Sequence, residues 1–183
     1  FDAGSSVQLV DGITGQGLLR FDIGASSASS TAPPAALRTI APITGATVTR
    51  EIKLTFDEAS MQWVINGKPF DPQRIDFRPR LGVPEQWHVV NDSTFVHPFH
   101  LHLAMFQVLR RGLANAPASE RGWKDTVRVH PGEDVLFATR FHDHTGTYVF
   151  HCHILEHEDH SMMGQVQVVD LPRVAGVDRT ATA

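Results

Sequence analysis

From residue 49 onward, apolar and polar side chains alternate in short runs, the pattern of strands that bury one face. Ile52, Leu54 and Phe56 alternate with Glu51, Lys53 and Thr55, so a strand here turns its apolar set to one side. A run over residues 61–65 leads into Asn66-Gly67, a pair that favours a tight turn. Further strands are predicted over residues 86–90, 99–109, 126–129, 134–141, 147–154 and 164–169, separated by Gly, Pro and Asn turns. Many short strands joined in this way predict an all-β Greek-key sandwich. The expected helix is short, near residues 156–161.

The N-terminal part reads differently. Residues 7–10 and 18–23 predict two strands around Asp11-Gly12-Ile13-Thr14-Gly15, and a Ser-, Ala- and Pro-rich stretch follows from residue 25 to 36. The expected organisation is residues 1–24 as the last strands of a preceding domain, 25–47 as a linker, 48–172 as the sandwich and 173–183 as a tail. An ordinary N-terminal extension is the alternative for the first segment. The 183 residues suit one domain of ordinary size with some extra. A net charge of −4 and a pI near 6.2 with no basic stripe argue against a nucleic-acid partner. No apolar run approaches the roughly 18 residues of a membrane span. A single cysteine excludes an internal disulfide and leaves the compartment undecided.

That cysteine carries the chemistry. It stands in His151-Cys152-His153-Ile154-Leu155-Glu156-His157, with Met162 following. A thiolate, two imidazoles and a weak axial thioether form the ligand set of a blue-copper centre. Cys152, His157 and Met162 supply three of these at the spacing Cys-x4-His-x4-Met, which suits a strand end turning through a short loop. His97 is the natural fourth, because it opens a second cluster, His97-Pro98-Phe99-His100-Leu101-His102. Hydrolytic zinc sites also use His-x-His, but they lack the Cys-x4-His-x4-Met loop and keep three ligands and an open water position.

Strand parity separates the ligands into two groups. In a strand over residues 147–154, Tyr148, Phe150, Cys152 and Ile154 face one way while His151 and His153 face the other. The cysteine and its flanking histidines therefore serve different metals. His100 and His102 repeat the pattern, with Leu101 and Leu103 opposite. Four histidines in two His-x-His pairs could hold a copper cluster, joined to the blue site by the backbone around Cys152.

With these motifs the chain resembles, over roughly residues 48 to 170, the C-terminal domain of a multicopper oxidase of the laccase and bilirubin-oxidase family. Gly122-Trp123-Lys124-Asp125-Thr126 and Glu85-Gln86-Trp87 look most like the bacterial three-domain members. The resemblance implies a cupredoxin fold, with the N-terminal strands belonging to a preceding cupredoxin domain. It further implies a type 1 copper on His97, Cys152, His157 and Met162, a type 2 copper on His100, and a type 3 pair on His102, His151 and His153. Met163 is then a neighbour. Such enzymes take single electrons from a small reducing substrate and reduce dioxygen to water. Phenols, aromatic amines, bilirubin-like pigments and low-valent metal ions all qualify as donors. The family completes its cluster with His-x-His motifs from an N-terminal domain, and no such second set stands here. His142-Asp143-His144 has the right letters but falls where the family has a polar loop. N-terminal multicopper oxidase domains are thus expected partners, and an extracytoplasmic address is expected by resemblance. The alternative function is a stand-alone blue-copper electron carrier, which has no use for His100, His102, His151 and His153.

Several residues read two ways. Glu158 is a proton relay by resemblance, or a solvated surface acid. Asp125 orients a ligand histidine, or caps a strand end, the reading favoured here. Trp87 and Trp123 read as core or site-wall aromatics, and His88, His130 and His160 as surface or satisfied histidines. Asn91-Asp92-Ser93 matches a glycosylation sequon, a match common by chance.

Overall fold

A computed structural model describes residues 1–25 and 38–170. The stretch 26–37, within the expected linker, and residues 171–183, which include the expected tail, lie outside the described residues. The chain divides into two compact units, Phe1–Thr39 and Ile40–Ala183.

The first unit is an antiparallel hairpin of β1 (Ser6–Val10) and β2 (Gly17–Asp22). Asp11 shapes its turn, because one carboxylate oxygen accepts from the Ile13 amide at 3.0 Å and the Thr14 amide at 2.6 Å. Leu9, Val10, Leu18, Leu19 and Phe21 are all about half exposed. A two-stranded ribbon is marginal by itself, and this one keeps its apolar side chains in contact with solvent.

The second unit is a sandwich of two sheets. Its strands are β3 (Thr49–Asp57), β4 (Gln62–Ile65), β5 (Glu85–Asn91), β6 (His97–Leu101), β7 (Phe106–Arg111), β8 (Ala114–Asn115), β9 (Trp123–Lys124), β10 (Thr126–Val129), β11 (Asp134–Thr139), β12 (Gly146–Cys152) and β13 (Met163–Val168). One sheet runs β4-β3-β5-β11-β7-β8, with β9 also on β7, and the other runs β10-β6-β12-β13. This is the curled, nearly all-β cupredoxin-like architecture. The short helix α1 (Leu155–Asp159) lies between β12 and β13. Between the sheets, Trp87 lies 6.1 Å from Phe137 and 5.4 Å from Phe150, ring centre to ring centre, so it is a core residue. Ahead of β3, Ile43 donates its amide to Gln107 Oε1 and Gln107 Nε2 donates to the Ala41 carbonyl. That part of the 25–47 stretch is pinned to β7.

The expected strand over residues 99–109 is two strands in different sheets. β6 stops at Leu101 because the chain must cross from one sheet to the other, and it turns there through Leu103 at φ 69° and a bond from the Ala104 amide to the His102 carbonyl. Leu103 is consequently 39% exposed while Leu101 is buried, so the two leucines do not share a face.

Candidate metal centre

The register of β6 against β12 sorts the chemistry. Along β6, His97, Phe99 and Leu101 are buried while Pro98 and His100 are half-buried on the other side. Cys152 lies opposite Phe99, and His151 lies opposite His100. Alternation therefore sends Cys152 to the core face beside His97, and His151 to the outer face beside His100.

On the core face the donors converge. His97 Nδ1 is 3.4 Å from Cys152 Sγ, Cys152 Sγ is 3.5 Å from His157 Nδ1, and the two Nδ1 atoms are 3.3 Å apart. The centre of such a triangle is about 2 Å from each corner, the length of a metal–imidazole bond. His157 arrives here because α1 turns the chain back. Its carbonyl accepts from the Met162 amide at 3.0 Å, and the Met162 carbonyl accepts from the Cys152 amide at 3.2 Å. Met162 is thereby held against Cys152, fully buried in the same core. Burial pushes the Cys152 thiol up to about 11, and burial with help from His157 pushes His97 down to about 4. His157 is also lowered by burial. At neutral pH the trio is uncharged, and a soft cation bound there would displace the thiol proton.

Aromatic rings close this site. Trp63 on β4 stacks on His157 at 4.4 Å, meets His97 edge-on at 5.1 Å, and packs against Phe95 at 5.2 Å. Sequence reasoning missed Trp63, since nothing in a strand run over 61–65 singles out one aromatic. Its contacts reach across to β6 and α1, and no local spacing encodes them.

The outer-face cluster is built with the opposite ring nitrogens. His100 Nδ1 is 2.9 Å from the Asp125 carbonyl and 2.9 Å from Thr126 Oγ1, which leaves Nε2 free. His151 Nδ1 donates to the Cys152 carbonyl at 3.0 Å with Glu158 Oε2 at 3.3 Å, and its Nε2 faces His102 Nε2 at 3.0 Å. Potential ligand atoms of His100, His102 and His151 all lie within 4.8 Å of one another. His153, exposed, joins them with its ring 5.3 Å from His100 and 5.5 Å from His151. Burial and then the neighbouring His100 and His151 lower the His102 pKa, and burial lowers that of His151. Asp125 orients His100 through its backbone carbonyl, its own side chain being exposed. Glu158 sits beside Nδ1 of His151, with 29% of its side chain exposed.

The remaining candidates lie elsewhere. His142 and His144 are exposed, and His142 lines a cavity of about 570 Å³ with Ile43, Met105, Trp123 and Arg140. Trp123 is therefore a cavity wall, 41% exposed. His88 bridges Glu51 at 2.8 Å and Asp134 at 2.9 Å across three strands, while His130 and His160 are exposed.

A sandwich that gathers a cysteine thiol and two imidazoles in one buried pocket, with a methionine buried in the same core, defines the cupredoxin class. The family model for multicopper oxidases matches residues 44–171, and the chain belongs to that family. It is 42% identical over 127 residues to multicopper oxidase mco of Staphylococcus haemolyticus, covering 67% of this chain and 28% of that protein. It is 39% identical over 110 residues to the laccase of Bacillus subtilis, covering 50% of this chain and 21% of the laccase. The crystal structure of McoA multicopper oxidase from Aquifex aeolicus superposes with a TM-score of 0.80 at 30% identity, covering 92% of this chain and 41% of that one. The chain thus spans well under half the length of the relatives it matches. Family membership implies copper, and the buried triangle of two imidazoles and a thiol suits that ion in donor chemistry and in size.

Proposed function

We propose that this chain is the C-terminal part of a multicopper oxidase that takes single electrons from a small reducing substrate and reduces dioxygen to water. The observation that carries this reading is the split at residues 151 and 152, where adjacent side chains enter two separate clusters of metal-ligating groups. A simple electron carrier needs the first cluster and has no use for the second.

Copper, when bound, supplies a one-electron couple at the buried trio and the multi-electron reduction of dioxygen at the outer cluster. His97, Cys152, His157 and Met162 would hold the type 1 ion, His100 the type 2 ion, and His102, His151 and His153 the type 3 pair. N-terminal multicopper oxidase domains would provide the remaining ligands. Cys152 shares a peptide bond with each of His151 and His153, and its carbonyl accepts from His151 Nδ1. The path from thiolate to either ring therefore stays within one stretch of backbone, which makes Cys152 the electron conduit. Burial of the trio limits solvent reorganisation as charge comes and goes. On the outer face, Glu158 bridges His151 and solvent, a position from which a carboxylate can pass protons inward. An extracytoplasmic location accords with this chemistry and is proposed on family resemblance alone.

The test is copper content and electron paramagnetic resonance of the purified chain, alone and combined with the N-terminal domains. A type 1 signal in the chain alone, joined by a type 2 signal and oxygen consumption in the combination, is the expected result. A chain that binds copper without a type 1 signal overturns the reading. So does a combination that never consumes oxygen.

A further inference from the structure

Asn91-Asp92-Ser93 has the letters of a glycosylation sequon, yet Asn91 is fully buried at the end of β5. Its amide nitrogen donates to the Phe95 carbonyl at 2.7 Å and the Val129 carbonyl at 3.0 Å. Its Oδ1 accepts from the Ser93 amide at 3.1 Å and lies 2.7 Å from Ser93 Oγ. The reverse amide orientation would set an oxygen against two carbonyls and an NH2 against an N–H, so the orientation is determined by its partners.

That orientation assigns the next proton. Ser93 has one hydroxyl hydrogen, and the oxygen of Asn91 at 2.7 Å takes it, the Phe95 carbonyl being more distant at 3.4 Å. Toward His97 Nε2, at 2.8 Å, the Ser93 oxygen can then only accept. The Phe95 amide donates to the same oxygen at 3.3 Å, which fills its remaining capacity. His97 Nε2 must carry the hydrogen, and its Nδ1 is left as a bare lone pair facing Cys152 and His157.

We infer that Ser93 is a positioning residue of the buried metal site: its hydroxyl, oriented by Asn91, locks the His97 ring with Nε2–H outward and Nδ1 toward Cys152. The purpose given to this lock rests on the proposed copper function, whereas the ring state is a property of the metal-free chain. Without it, the buried ring is free to turn over or to place its hydrogen on Nδ1, and both lose a ligand atom. Partners behind a metal-bound histidine typically matter by about 10- to 100-fold in affinity.

Two measurements test this. Long-range proton–nitrogen correlation NMR of the metal-free chain at neutral pH should find His97 wholly in the Nε2–H form. A Nδ1–H form or an even mixture overturns the assignment, whatever metal the site takes. Copper titration should then show Ser93→Ala weakened about 10- to 100-fold, with altered hyperfine splitting of its resonance spectrum. Ser93→Thr, which restores a hydroxyl, should recover both. Wild-type affinity and spectrum in Ser93→Ala, or no recovery in Ser93→Thr, would remove Ser93 from the site. Loss of the N-terminal domains affects neither measurement, so failure here is distinct from failure of the oxidase reading.

Discussion

The two faces of β6 and β12 carry histidine sites that differ in donor atoms and in exposure. On the core face, His97 and His157 offer Nδ1 beside a thiol in a pocket closed by Trp63 and Phe95. On the outer face, His100 and His151 have Nδ1 engaged by backbone carbonyls, and Nε2 of His151 is turned to His102 Nε2 at 3.0 Å. The first site is buried and assembled from this chain's own residues, while the second joins buried His151 to half-buried His100 and His102 and exposed His153, with a carboxylate leading to solvent. Desolvation suits a site that only gains and loses an electron. Openness suits one that must admit a small molecule and protons. One residue of chain separates the two environments, because strand parity alone decides which face a side chain joins.

The sharpest way to break this comparison is Cys152→Ser, which removes the thiolate at nearly constant volume. Blue absorption and substrate oxidation should both vanish while the circular dichroism of the sandwich persists. Oxidase activity surviving in that variant would falsify the assignment of the core face. Glu158→Gln targets the outer face, and in the completed enzyme it should slow oxygen reduction by on the order of a hundredfold and substrate oxidation far less. Equal slowing of the two half-reactions argues against a relay.

Acid probes the buried face. The His97 pKa, pushed down to about 4 by burial, lies below the unfolded value near 6.5. The unfolded chain therefore binds the proton first, and the His97 contribution to metal-free stability should be complete above about pH 6.5, fall as pH drops toward 4, and be lost below. The loss from His97 is on the order of a few kcal/mol, measurable by denaturant titration across that window. A flat profile contradicts the desolvated state of the site. The smallest expected change is in Met162→Leu, which should keep the blue colour and raise the reduction potential, since the axial thioether tunes it. A potential that stays level or falls takes Met162 out of the ligand set.

Much of this protein is written in local order. Alternation from residue 49 announced β3, and the expected strand over 126–129 coincides with β10. The strand expected over 147–154 appears as β12 but ends at Cys152, where the chain turns into α1. Because parity is a property of successive residues, the separation of Cys152 from His151 could be read without coordinates. The spacing Cys-x4-His-x4-Met likewise encodes a loop short enough to fold back on itself. What the tertiary structure alone decided involves contacts between distant elements. The break at His102–Met105 depends on there being two sheets to connect. Trp63 covers His157 because β4 packs near α1, and Ser93, read as part of a sequon, reaches His97 because the chain turns between β5 and β6. Asp125 serves His100 through a backbone atom that every residue possesses, so its side chain carried no signal. Ligand identity and strand face follow from covalent neighbours, whereas the shielding and orientation of those ligands arise from packing between strands far apart in the chain.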